Sequence, residues 1–261
     1  MVLVCDIGNT NIVIGIYNDK WEHIWRIETD KNHTALHYSM LINEYLWEAG
    51  INPYEISFKS LSTVVPELKE TFSEILQFLS PSPVVTVDKS IYHALPLIIV
   101  NPNEIGTDIV SNCLAAKSKF SGHILIIDFG TALTFTVMDP DGEILGVNIA
   151  PGIKIAIENL MSRTSQLPVV DIVFPENPLG TNTVEAIQNG VLIGYTGMIK
   201  HMISVVGNYL NIKPLTVATG GLSLILYPYI QEIDHIEPHL TLDGLRIAGE
   251  IYLKYCGKEP V

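Results

Sequence analysis

Val2-Leu3-Val4-Cys5-Asp6-Ile7-Gly8-Asn9-Thr10-Asn11, with the apolar run Ile12-Val13-Ile14-Gly15-Ile16 behind it, is the stretch on which the reading of this chain turns. Short β-rich runs flank Gly8-Asn9, and Gly and Asn tolerate the positive φ of a tight turn, so the stretch predicts two strands joined as a hairpin. That geometry puts Asp6 at the end of the first strand and leaves the N–H groups from Gly8 to Asn11 facing an anion. Asp6 could there hold a hydrated Mg²⁺, while the amides and the Thr10 hydroxyl meet phosphate oxygens. A single Asp-x-Gly-x-Thr pattern reads more readily as an ordinary hairpin with a polar tip.

The pattern occurs twice. Ile124-Leu125-Ile126-Ile127-Asp128-Phe129-Gly130-Thr131-Ala132 leads into Leu133 to Met138 on the same plan: apolar strand, Asp-tipped turn, second apolar strand. The parallel extends further, because Tyr17-Asn18-Asp19-Lys20 answers Asp139-Pro140-Asp141-Gly142 as the next turn, and Trp21 to Ile27 answers Glu143 to Ile149 as a third strand. Two copies predict a duplicated domain rather than a solenoid. Hairpins facing each other across a cleft would supply paired carboxylates and paired amides to one nucleoside triphosphate and its metal.

A chain of 261 residues, 48% hydrophobic and only 16% charged, has the composition of a globular protein with a full core. No apolar run reaches the roughly 18 residues of a membrane helix; Leu95 to Val100 and Leu222 to Leu226 have the length of core strands. The apolar N-terminus has no basic leader and is interrupted by Asp6, so no secretion signal and a cytoplasmic location are expected. A net charge of −13 argues against a nucleic-acid surface. Cys5, Cys113 and Cys256 are scattered and odd in number, which favours neither a disulfide framework nor a zinc site, and the first two lie in apolar stretches expected to be buried.

Along the chain, helices are expected at Thr34 to Ala49, closed by Gly50, at Glu67 to Leu79 after Pro66, and at Ile109 to Lys119. Strands are expected at Ser60 to Val65 and Val84 to Val87. His33 and His37, one helical turn apart, lack a third ligand and read as solvated histidines. Asp108 falls near a helix N-terminus, where its local pattern favours a capping or first-turn carboxylate that suits the dipole over one that takes a proton from a substrate hydroxyl. In the second half, helices are expected at Ile153 to Ser162 and at Val184 to Gly207, and Leu240 to Leu245 leads into a final helix that runs to about Tyr255. Gly190, Gly194 and Gly197 are spaced for close packing within the chain or against a second copy. Thr216 to Ala218 predicts a strand entering Gly220-Gly221, where a flat adenine ring could approach the backbone. Ser223 lacks the second Gly of a nucleophile elbow.

Together, Asp6-x-Gly8-Asn9-Thr10-Asn11, Ser62-Thr63-Val64-Val65-Pro66, Asn101-Pro102 with Gly106-x-Asp108, Asp128-x-Gly130-Thr131-Ala132, Pro151-Gly152, Arg163-Thr164-x-x-Leu167-Pro168, Gly180-x-Asn182-Thr183, Thr219-Gly220-Gly221 and Asp243-Gly244-Leu245 resemble the type III pantothenate kinases over nearly the whole chain. The resemblance implies an α/β fold of duplicated actin-like (ribonuclease H-like) halves with a nucleotide cleft between them. Residues 1–117 would be the N-terminal half and 118–261 the C-terminal half. It implies a homodimer that phosphorylates pantothenate with ATP, the first step of coenzyme A synthesis, with no nucleic acid or membrane partner. By similarity, Asp6, Ile7, Gly8, Asn9, Thr10, Asn11, Ile12 and Val13 would form the first phosphate loop, and Thr131 would contact ATP. Asp128 would hold a monovalent cation, K⁺ or NH₄⁺, beside the Mg²⁺ at Asp6. Asp108 would be the general base, and Gly106, Thr107, Asp108 and Ile109 with Thr183 would line the pantothenate site. Three positions depart from the family pattern: Ile99 where a Tyr is usual, Ile109 where an Arg follows the Asp, and Thr136 where an Asp is usual. The first two face the substrate side and leave open a second reading, a nucleotide-binding relative without catalysis or a kinase of another small hydroxylated compound.

Overall fold

The computed structural model describes residues 1–163, 168 and 170–256. It divides into two compact units, Met1–Ala115 with the chain from Thr241 onward, and Ala116–Leu240.

The first unit begins with β1 (Val2–Ile7), β2 (Asn11–Asn18) and β3 (Lys20–Glu28), followed by α1 (Ala35–Glu48), β4 (Phe58–Thr63), α2 (Pro66–Leu79), β5 (Val84–Thr86) and α3 (Thr107–Lys119). Its sheet has the order β3-β2-β1-β4-β5, with β1 antiparallel to β2 and parallel to β4. Central β1 is apolar from Val2 to Cys5 because both faces are covered, so these side chains do not alternate with polar ones, and only Asp6 near its end is charged. One face packs on α1 and α2 through Tyr38, Ile42, Leu46, Leu68, Phe72 and Leu76. Thr34 caps α1 by accepting from the His37 amide, and Gly50, at φ 69°, follows its end.

The second unit repeats the plan with β6 (Ile124–Phe129), β7 (Ala132–Met138), β8 (Ile144–Pro151), α4 (Ile153–Ser162), α5 (Thr183–Leu210), β9 (Leu215–Thr219), α6 (Ser223–Leu226) and β10 (His235–Ile236). Its sheet order, β8-β7-β6-β9-β10, is the first sheet's order strand for strand. The second turn of each half carries a positive φ, at Asp19 (61°) and Gly142 (91°). The duplication read from the sequence is therefore a duplication of topology.

The last helix, α7 (Leu240–Cys256), departs from the expected halves of 1–117 and 118–261. It returns to the first unit, where Leu242, Leu245 and Ala248 join Val2, Val4, Phe58, Val110 and Leu114 in one core cluster. Gly244 lies against the Ser111 backbone and the Trp21 indole N–H donates to the Asp243 carboxylate at 2.9 Å. This helix covers the face of the first sheet that α1 and α2 leave bare.

Two apolar runs expected as strands are not strands. Leu95 to Val100 follows a 3₁₀ turn at Tyr92–Ala94 as irregular chain, since Pro96 cannot donate to a ladder. Leu222 to Leu226 is mostly the helical turn α6, because Gly220 at φ 89° reverses the chain straight after β9.

Helix α5 has 28 residues and contains an 18-residue stretch of mean hydropathy 1.2, long and apolar enough by length and composition to cross a membrane. Polar residues interrupt the run in the sequence, which hides this. In the fold, Ile187, Leu192, Ile199, Ile203 and Val206 belong to the second unit's core, and buried Asn189 donates to the Asn177 carbonyl at 2.9 Å.

Candidate active site

The tip of the first hairpin is built by register. Asp6 pairs with Val13 on β2 and Ser62 on β4, one residue before the strand ends, and Ile7 pairs with Ile12. Between them the chain turns at Gly8 to Asn11, closed by the Gly8 N–H donating to the Asn11 carbonyl at 2.9 Å. The turn was expected to need a positive φ at Gly8 or Asn9, and neither has one. The reason for glycine is space: a Cβ on Gly8 would come within 3.0 Å of the Asn11 carbonyl oxygen. Ile7 and Ile12 are fully buried, so of the eight loop residues these two offer a ligand only their backbone. Asn9 is exposed, and Asp6, Gly8, Thr10, Asn11 and Val13 are half-buried.

The second hairpin sets Asp128 at the same place, paired with Thr134 on β7 and Thr219 on β9, with a turn one residue shorter. Glycines crowd this carboxylate. A Cβ on Gly130 would stand 3.5 Å from Asp128 Oδ1, and one on Gly220 would stand 2.5 Å from the same atom and 2.7 Å from the Phe129 backbone. Gly152 presses on the Gly130 and Thr131 carbonyls and its N–H donates to Thr131 at 3.1 Å. Gly130, Thr131 and Gly221 are exposed. The Ser223 hydroxyl, fully buried, donates to the Gly220 carbonyl at 2.7 Å and so holds the turn.

Asp108 lies in the first turn of α3, its Oδ1 accepting from the Ile109 N–H at 2.9 Å. A Cβ on Gly106 would overlap the same carboxylate oxygen, so a side chain there would displace the Asp108 carboxylate. Thr107 is buried and accepts from the Tyr92 hydroxyl at 3.3 Å, and burial pushes the Tyr92 phenol up. Ile109 is 8% exposed and Ile99 packs against the first unit's core, so both departures from the family pattern fill apolar space.

Thr183 opens α5 at the edge of a cavity of about 540 Å³ lined also by Leu160, Thr181, Asn182 and Ile187. Asn182 caps α5 by accepting from the Glu185 amide at 3.0 Å. Glu185 accepts from the Thr181 N–H and hydroxyl, each at 2.9 Å, and these bonds, the amide first, hold its carboxyl below the usual range. The sequence reading missed Leu160, Thr181 and Glu185, although Asn182-x-x-Glu185 is a helix-start signature. Arg163, at the end of α4, is exposed; Thr164 and Leu167 of its motif lie outside the described residues.

The His33 and His37 rings are 4.0 Å apart, with His33 Nε2 3.7 Å from Asp30. Among the described residues no group of three or more His, Cys, Asp or Glu side chains converges to hold a metal. Burial pushes the Cys5 and Cys113 thiols up, as expected of inert core residues.

Two sheets of one strand order, each ending its central strand in an Asp-tipped hairpin, define a duplicated actin-like α/β protein. In fold the chain is similar to component A of (R)-2-hydroxyglutaryl-CoA dehydratase from Acidaminococcus fermentans (11% identity, 98% of this chain and 99% of that one, TM-score 0.54). It is likewise similar to a ROK family glucokinase from Streptomyces griseus in complex with glucose and AMPPNP (10% identity, 95% and 99% covered, TM-score 0.52). The sequence model of the type III pantothenate kinases matches residues 2–205. A type III pantothenate kinase from Geobacter sulfurreducens is 38% identical over 252 residues, which cover 96% of this chain and 98% of that one. The chain belongs to the type III pantothenate kinase family.

Proposed function

We propose that this chain is an ATP:pantothenate 4'-phosphotransferase, making 4'-phosphopantothenate for coenzyme A synthesis. The observation that carries the reading is the matched pair of hairpins, with Asp6 and Asp128 at one register position in sheets of one strand order. Phosphoryl transfer asks for alignment and charge neutralisation, with little covalent chemistry left to the protein. With the Gly8 N–H, expected to face the anion, spent on the Asn11 carbonyl, the amides of Asn9 to Asn11, the Thr10 hydroxyl and Thr131 hold the phosphates, and exposed Gly221 offers its backbone to adenine. Asp108 accepts the proton of the attacking hydroxyl, held in place by the Ile109 N–H. In the first unit Gly106, Thr107 and Ile109 with Ile99 are the acceptor-binding residues, and in the second Thr183 borders its own cavity.

The residues present fit the cations the family implies. With no protein cage among the described residues, a Mg²⁺ would take one carboxylate, Asp6, through water, and keep phosphate and water as its other ligands. When bound, it neutralises charge on the transferring phosphate. Asp128 supplies a hard oxygen donor for K⁺ or NH₄⁺. We also propose a cytoplasmic homodimer: Gly190, Gly194 and Gly197 on α5 each have open space where a Cβ would stand, leaving a strip narrow enough for close approach by a second copy. The net charge of −13 disfavours nucleic acid as a partner.

A coupled assay of ADP release, with and without pantothenate and at high and low K⁺, tests the reading. Turnover that needs pantothenate and K⁺, and that falls by about 10²- to 10⁴-fold in Asp108→Asn, supports it. Pantothenate-independent turnover, or none from folded protein, overturns it.

A further inference from the structure

Each hairpin tip is held from behind by the residue that follows the third strand of its sheet. In the first unit β3 ends at Glu28, and the Thr29 N–H donates to the Thr10 carbonyl at 3.0 Å. In the second unit β8 ends at Pro151, and the Gly152 N–H donates to the Thr131 carbonyl at 3.1 Å. The two positions correspond by strand order and by partner, yet their side chains differ. A Cβ on Gly152 would overlap the Gly130 and Thr131 carbonyls, so nothing larger than hydrogen stands there. Thr29 has room for a side chain, and its hydroxyl donates to the Gly8 carbonyl at 2.7 Å.

Thr29 thus grips the first tip at two carbonyls, one on either side of exposed Asn9. The Gly8 carbonyl and the Asn9 N–H belong to one planar trans peptide and point in opposite directions. Holding the carbonyl inward therefore aims the Asn9 N–H outward. Without the hydroxyl, that peptide could rotate and point its carbonyl at an anion. A donor fixed before the ligand arrives costs no reorganisation on binding.

We infer that Thr29 is a positioning residue for ATP, its hydroxyl presetting the Asn9 amide as a phosphate donor. The inference rests on the reading of Gly8 to Asn11 as a phosphate loop. Its test compares Thr29→Val, which keeps the shape and loses the donor, with Thr29→Ser, which keeps the donor, in the full chain. The measurements are ATP affinity by calorimetry, KM for ATP and for pantothenate, and thermal unfolding. Thr29→Val should weaken ATP by about 3- to 10-fold and leave the KM for pantothenate within about twofold, while Thr29→Ser stays near the parent for both. Unchanged ATP affinity in Thr29→Val, equal losses for both substrates, or failure of Thr29→Ser to restore ATP binding each overturn it. Should Thr29→Val not fold, Thr29→Ser against Thr29→Ala isolates the hydroxyl with the methyl lost from both, and the same split is expected. Asp6→Asn separates the two readings. If it weakens ATP and Thr29→Val does not, only the role of Thr29 falls; if neither weakens ATP, the phosphate-loop reading falls with it.

Discussion

Gly244 of α7 lies so close to the Ser111 backbone of α3 that a Cβ there would overlap the carbonyl. One turn earlier on α3 is Asp108, and beside Ser111 the Asn112 amide oxygen accepts from the Thr241 hydroxyl at 2.8 Å. The last helix therefore sets the position of the helix that carries Asp108. Gly244→Ala should destabilise the first unit by about 1 to 3 kcal/mol, the usual range for overpacking, and lower kcat through displaced Asp108. Chemical denaturation and steady-state kinetics check both, and an Ala variant as stable and active as the parent counts against this coupling.

Gly220 combines a φ of 89° with a backbone that presses on Asp128 and Phe129. An alanine pays strain in the left-handed region and displaces the Asp128 carboxylate. Gly220→Ala should lose more than about 1 kcal/mol of stability and raise the KM for ATP. Equal losses of kcat for every nucleotide with an unchanged KM would place the damage elsewhere.

Gly194 sits mid-helix in α5 with open space around its missing side chain. In a monomer, Gly194→Ala should stabilise the helix by up to about 1 kcal/mol through propensity alone. In a dimer closely packed on this strip, Gly194→Leu should shift sedimentation toward monomer without unfolding the chain. A variant that remains as dimeric as the parent moves the interface off this face.

Asp234 gives an acid-side prediction. Burial raises its carboxyl, but the Thr216 N–H at 2.9 Å and the Lys213 ammonium at 3.0 Å outweigh that and bring it below its ordinary value of 3.8. The folded state then binds this proton less readily than the unfolded one. Its stabilisation is full above 3.8 and is lost as pH falls through the depressed folded value. Asp234→Asn should flatten that part of the stability curve in urea titrations between pH 5 and 2, taken as the approximate limits of the window.

The sequence legibly carried the hairpins, because apolar strand, Asp-x-Gly turn and apolar strand form a local pattern that repeats. By its local pattern it carried Asp108 as a residue near a helix start, and by the Gly106-x-Asp108 motif as the general base the resemblance implies, but it did not show that Gly106 closes on the carboxylate. Thr29 was illegible for a related reason: its partners are Gly8 and Thr10, about 20 residues away and across a strand. Glu185 could have been found, as Asn182 and Glu185 form a helix-start pair within a few residues.

By itself the sequence determined that there are two copies of one Asp-tipped hairpin, because the side-chain period of a strand and the turn chemistry at its tip are short-range. The tertiary structure alone decided that α7 belongs to the first unit, that Gly8 is needed for space rather than for φ, and that Thr29 and Gly152 hold the two tips. Each of those depends on which surfaces meet when the sheets are covered, and close packing between residues far apart in the chain is settled only by the folded whole.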